Sequence, residues 1–124
     1  MDIEPDRWCT LLKADAEFCR ASRLWTGSFA FADEAGFVSV TVAGGDVTGV
    51  VTGAGASSAE VTFYGPAKGW AKVLAAVPPP YYQDLIGGAV GRHAFLVSGD
   101  VARMAAYYPA IQRAVRLAAT ARGV

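Results

Sequence analysis

Between residues 27 and 64 the apolar positions change from a helical spacing to every second residue, and this switch narrows the fold most. GSFAFA puts Phe29 and Phe31 on one face, and FVSVTV sets Val38, Val40 and Val42 against Ser39 and Thr41. DVTGVVT and AEVTFYG continue the pattern, the latter opposing Val61 and Phe63 to Glu60, Thr62 and Tyr64. A period of two belongs to strands with one buried face. Glycine-containing links at 33–36, 43–46 and 53–58 separate the segments. Four consecutive short strands with tight links predict an antiparallel meander.

On either side the spacing is helical. From Trp8 the apolar residues fall at 8, 11, 12, 18, 19 and 25 after a Pro5-Asp6 opening, which predicts one leading helix. Asp15 and Ser22 project into that stripe. A carboxylate there needs a partner or water, so Asp15 pairs with an arginine, marks a helix break, or holds a ligand hydroxyl or amine. Gly65-Pro66 opens a second helix carrying Trp70, Val73, Leu74 and Val77 at i, i+3, i+4 and i+7. Prolines 78–80 stop it. Pro80 then starts a short helix in which Tyr81 meets Leu85 and Tyr82 meets Ile86, with Gly87, Gly88 and Gly91 loosening its exit. Residues 94–98 read as a fifth strand at the edge of the same sheet. Asp100 caps a last helix whose core face is Met104, Tyr107, Tyr108, Ile111, Val115 and Ala118. Arg103, Arg113 and Arg116 lie on its flanks and back, and Pro109 kinks it from the polar side. The order is α-β-β-β-β-α-α-β-α, an α+β arrangement.

A chain of 124 residues makes one domain with a single core. Its 53% hydrophobic share excludes disorder and favours a cavity or an interface lined by apolar residues. No run approaches the roughly 18 apolar residues of a membrane span, and MDIEPDRW is acidic without an apolar signal core. Two cysteines ten positions apart on one helix sit about 15 Å apart, too far to bridge, which predicts reduced thiols and a cytoplasmic protein. Residues 1–60 hold four Lys and Arg against nine Asp and Glu; residues 61–124 hold seven against two. The halves attract each other within the fold, or the basic half meets an anionic head group or membrane surface.

Reactive constellations are sparse. GAGASS lacks the third glycine of a dinucleotide loop and leads into a strand, so it reads as a hairpin loop. His93 is the single histidine, no cysteine stands at metal-ligand spacing from it, and no nucleophile elbow surrounds Ser39 or Ser98. No cofactor, metal or nucleic acid is expected. Pro78, Pro79 and Tyr81 spell PPxY, yet a WW-domain ligand is extended and exposed, whereas this one lies between ordered helices. The stretch reads instead as a flap or as plain core packing.

A leading amphipathic helix, a glycine-linked meander, a strand running into G-x-x-x-x-W (Gly65 to Trp70), and a late strand ending in Gly99-Asp100 before a C-terminal helix resemble the sterol-carrier-protein family. The resemblance spans residues 8 to 118. It implies a five-stranded, mainly antiparallel sheet with helices over one face, enclosing an apolar tunnel for a sterol, fatty acyl chain or acyl-CoA, without catalysis. The chain departs from the family pattern at AAVPPPYYQDLIGGAVGRHA and in the extended last helix, where a family ligand enters. The expected lining is Trp25, Phe29, Phe31, Trp70, Leu74, Tyr82, Leu85, Ile86, Met104, Tyr107, Tyr108 and Ile111. Two rivals stand beside this reading. One is a cone-shaped cyclase or hydratase-like enzyme using Asp15, Asp84, His93 or a tyrosine. The other is a homodimerising structural module.

Overall fold

A computed structural model of the chain describes residues 1–91 and 95–123. Its sheet has five strands in the order β3-β2-β1-β4-β5: β1 (Gly27–Asp33), β2 (Gly36–Ala43), β3 (Asp46–Gly53), β4 (Val61–Tyr64) and β5 (Leu96–Gly99). The first three strands form the expected antiparallel meander. β4 departs from it, running parallel to β1 with Val61 beside Phe29 and Phe63 beside Phe31. Residues 54–60 are therefore a crossover connection, correcting the hairpin reading of GAGASS. The physical reason lies in β1. Its two inward phenylalanines gain apolar neighbours on both sides when β4 docks there, whereas a hairpin from β3 would leave Val61 and Phe63 at the sheet edge. The crossover is tied down where it ends, the Glu60 N–H donating to Ser28 Oγ at 2.9 Å. β5 closes the far edge, antiparallel to β4. The sheet is thus mainly antiparallel, with helices packed on one face.

The leading helix is two helices, α1 (Pro5–Ala14) and α2 (Ala16–Ser22), broken at Asp15. Asp15 leaves the helical conformation (φ −84°, ψ 113°) and its carboxylate accepts the Phe18 N–H at 2.8 Å, capping α2. The same carboxylate takes two bonds from Arg113 of the last helix, at 2.8 and 3.0 Å. Break and arginine partner are both realised. The two cysteines are free, although the break removes the straight helix on which their separation was reckoned. α3 (Ala67–Val73) starts one residue later than expected, with Pro66 as its cap position and the Glu34 carboxylate accepting the Ala67 N–H at 2.9 Å. It also ends before Val77, which is 86% exposed and not part of the apolar stripe.

α4 (Val101–Thr120) opens on Asp100, whose carboxylate accepts the Arg103 N–H at 3.0 Å. Its backbone departs from helical values at Tyr107 (φ −113°, ψ 16°), two residues before Pro109. The proline supplies no N–H to the preceding turn, which explains the kink. Arg113 and Arg122 of the basic half pair with Asp15, Glu17 and Asp2 of the acidic half. Attraction between the halves is therefore built into the fold.

Candidate functional site

Between the inner face of the sheet and α4 lies a layer of aromatic and aliphatic side chains. Phe29 and Phe31 enter it from β1 because alternation turns them inward. Trp25 follows α2, stacking on Phe29 at 5.5 Å between ring centroids and on Tyr107 of α4 at 4.8 Å. Trp70 of α3 lies 4.9 Å from Phe31, and its indole N–H donates to the Ala32 carbonyl at 2.8 Å. Eight of the twelve expected residues are buried: Trp25, Phe29, Phe31, Trp70, Leu74, Leu85, Met104 and Ile111. The other four, Tyr82, Ile86, Tyr107 and Tyr108, are half-buried against them.

Four further aromatic residues complete the layer. Trp8 lies 5.4 Å from Phe31, Phe18 6.4 Å from Phe29, and Phe63 6.3 Å from Phe31. Phe95 meets Trp70 edge-on at 4.7 Å. Trp8, Phe18 and Phe63 were visible in the apolar pattern. Phe95 explains the G-x-x-x-x-W run instead: a methyl at Gly65 or Gly69 would collide with its ring.

The segment from Tyr81 to Gly91 covers this layer and is built differently from the expected short helix. A six-residue π-type helix (Leu85–Val90) begins only after Asp84, whose carboxylate accepts the Ile86 N–H at 3.1 Å. The expected helix from Pro80 does not form. Tyr81 adopts a left-handed backbone (φ 74°), incompatible with an extended PPxY conformation through that residue. Gly88 is required by close packing and not by looseness, because a methyl there would strike the Tyr81 carbonyl. Leu85 and Ala89 point into the layer and are almost fully buried.

Polar side chains of α4 fasten this segment. The Tyr108 hydroxyl donates to the Asp84 carboxylate and accepts the Ile86 N–H at 2.9 Å. Gln112 accepts the Leu85 N–H at 3.3 Å and donates to the Gln83 carbonyl at 2.9 Å. Burial, reinforced by the Asp84 carboxylate, pushes the Tyr108 phenol well above its ordinary range, so it stays protonated and able to donate. On the other side Lys72 stands 5.1 Å over the Tyr82 ring. The latch is thus a few side-chain bonds along one helix, near the turn that Pro109 kinks.

Of the residues considered for catalysis, Asp15 is spent on Arg113 and on capping, and Arg113 holds its carboxyl below the usual range. Asp84 belongs to the latch. His93 lies outside the described residues. Among the described residues no three metal-ligating side chains cluster, and no helix is long and apolar enough to cross a membrane. A separate hollow of about 410 Å³ sits under the crossover, lined by Gly55, Ser57, Thr62, Tyr64 and Ser98 among others, and contains none of the twelve residues.

No protein-family model and no curated protein matches the sequence. Solved structures do match its shape. A crystal structure of sterol carrier protein 2 superposes with a TM-score of 0.77 at 22% identity, covering 94% of this chain and 93% of that one. The solution structure of a conserved protein from Thermus thermophilus gives 0.75 at 21% identity, over 95% and 85% of the two chains. A UbiJ-SCP2 ubiquinone synthesis protein gives 0.58 at 16% identity, over 92% and 90%. With the strand order, the helices on one face and the layer they enclose, these likenesses identify the architecture: the chain adopts the sterol-carrier-protein fold.

Proposed function

We propose that the protein binds a small apolar or amphipathic ligand, such as a fatty acyl chain, acyl-CoA or sterol, between its sheet and α4, and carries it without chemical change. One observation supports this above the others. The wall of the aromatic layer formed by Tyr81–Gly91 rests on α4 through the side chains of Tyr108 and Gln112 and not through a sheet ladder. Such a wall opens at the cost of a few hydrogen bonds, and the apolar surface uncovered by withdrawing Leu85 and Ala89 is what a ligand would cover again. The similarity of fold to a crystal structure of sterol carrier protein 2 points the same way. In this reading the ligand-contacting group is the twelve residues of the expected lining, within one domain of a cytoplasmic protein.

A sixteen-carbon chain gains roughly 12 kcal/mol on burial. Association returns at least about 4 kcal/mol and opening the latch about 2 kcal/mol more, which leaves binding in the range of tens of micromolar. Native mass spectrometry of protein purified directly from cells tests the proposal. A co-purifying lipid released by organic extraction, and taken up again as oleate by the stripped protein, is the expected result. A bare monomer that takes up neither oleate nor cholesterol contradicts it. A ligand-free dimer would instead support the structural-module rival.

A further inference from the structure

Tyr81 is the backbone anomaly of the molecule. Among the described residues every other position with positive φ is a glycine, whereas Tyr81 is held at φ 74°. An L side chain crowds its own backbone there, and for a bulky residue the conformation is an outlier. The residue is 53% exposed, so burial of its ring does not impose the conformation. Such strain persists only where the surroundings over-determine it.

Two contacts of the backbone do so. The Tyr82 N–H donates to the Pro79 carbonyl at 3.1 Å, closing a turn over residues 79–82. Pro80 takes the second position of that turn with φ fixed by its ring, and Tyr81 the third, where a positive φ calls for glycine. From the other side Gly88 packs so tightly on the Tyr81 carbonyl that a methyl would collide with it. The two contacts are anchored to different elements. Lys72 of α3 stands over the Tyr82 ring. Gly88 belongs to the π-type helix, which Tyr108 and Gln112 fasten to α4. The strained residue therefore joins a turn tied to α3 to a wall tied to α4.

We propose that Tyr81 is a strained hinge that biases the latch toward opening. When Leu85–Val90 leaves the aromatic layer, Gly88 withdraws from the Tyr81 carbonyl and the backbone relaxes to negative φ. Strain held in the closed wall thus offsets part of the hydrogen bonding lost on opening. The inference rests on the carrier reading and assigns how its wall is controlled. A left-handed non-glycine residue corresponds to roughly a fivefold bias or more against the closed state. Where the binding-competent state is the minor one, apparent affinity rises by the same factor as its population.

Amide hydrogen exchange and titration calorimetry on Tyr81→Gly and Tyr81→Ala test it. Both variants lack the ring and they differ by one methyl group; alanine keeps the strain and glycine removes it. Ligand-free Tyr81→Gly should exchange its Leu85–Val90 amides about fivefold more slowly than Tyr81→Ala, and should bind oleate about fivefold more weakly. Protection of the strands should match wild type in both, which shows that both fold. At an unstrained position glycine loosens the chain and the order of exchange reverses. Equal or faster exchange in the glycine variant therefore overturns the inference. Slower exchange with equal oleate affinity also overturns it, since the strain would then not act on the wall that the ligand moves, and leaves the carrier reading standing. Failure of wild type to bind oleate overturns both.

Discussion

At the residue scale, one carboxylate organises the first third of the chain. Asp15 ends α1, caps α2 and holds Arg113, so removing it loses three contacts together. Asp15→Ala should lower stability by about 2 kcal/mol, adding a lost cap to a partly exposed ion pair. Asp15→Asn keeps the cap and should cost less. The sign of the pH dependence follows from Arg113, which holds the Asp15 pKa below its unfolded value. The stabilisation is present above the ordinary carboxylate pKa of about 3.9 and is lost as pH falls through the folded pKa. Denaturant unfolding at pH 7 should separate wild type from Asp15→Asn, and the gap should narrow as pH falls below the ordinary carboxylate range and through the folded pKa. A gap that does not change with pH would mean that the ion pair is not its source. The sequence showed Asp15 as a misfit on an apolar stripe. The identity of its partner, 98 positions away, was not readable, because nothing local distinguishes Arg113 from Arg116. The same blindness hid the burial of the Arg116 Nε.

Among the elements, the π-type helix and its latch differ most from expectation. Periodicity found Leu85 and Ile86 as apolar positions, but three prolines and a glycine pair gave no period with which to place a helix boundary. The boundary is set by Asp84 as cap, which Tyr108 of α4 holds, and by the close approach of Gly88 to Tyr81. For the same reason β4 was read as a meander strand. Alternation states which face is buried and says nothing about which neighbour a strand chooses. Tyr108→Phe removes the hydroxyl that joins Asp84 to Ile86 and should quicken amide exchange across Leu85–Val90 about tenfold, a local loss of roughly 1.4 kcal/mol. The strands should keep their protection. Exchange that rises everywhere would show that the latch belongs to the global core. Replacing Pro78–Pro80 with alanines should weaken oleate binding about tenfold at nearly unchanged thermal stability, because the fixed φ angles limit the states open to the following turn. Unchanged affinity by calorimetry would reduce the proline run to a spacer.

At the scale of the whole molecule, the fold was readable because three signals agreed: helical stripes at both ends, period-two strands between them, and glycine-containing links separating the strands. The five mainly antiparallel strands and the helix-covered face are those expected from the family resemblance, whereas the place of β4 between β1 and β5 is not. The candidate layer was readable in composition and face, since eight of its twelve residues are buried together. Its state was not readable, because a pattern of apolar residues is the same whether the space they enclose is filled by side chains or by a ligand. In this structure Leu85 and Ala89 occupy that space from the latch side. The central claim is that a ligand replaces them between sheet and α4. Intermolecular NOEs between carbon-13-labelled oleate and the methyl groups of Leu74, Leu85, Met104 and Ile111 test it most directly. The account predicts cross-peaks from the acyl chain to the Leu74, Met104 and Ile111 methyls, with the Leu85 methyls shifted as the latch opens. Saturable binding with cross-peaks confined to surface methyls such as those of Val51, Val77 or Leu96 would contradict it.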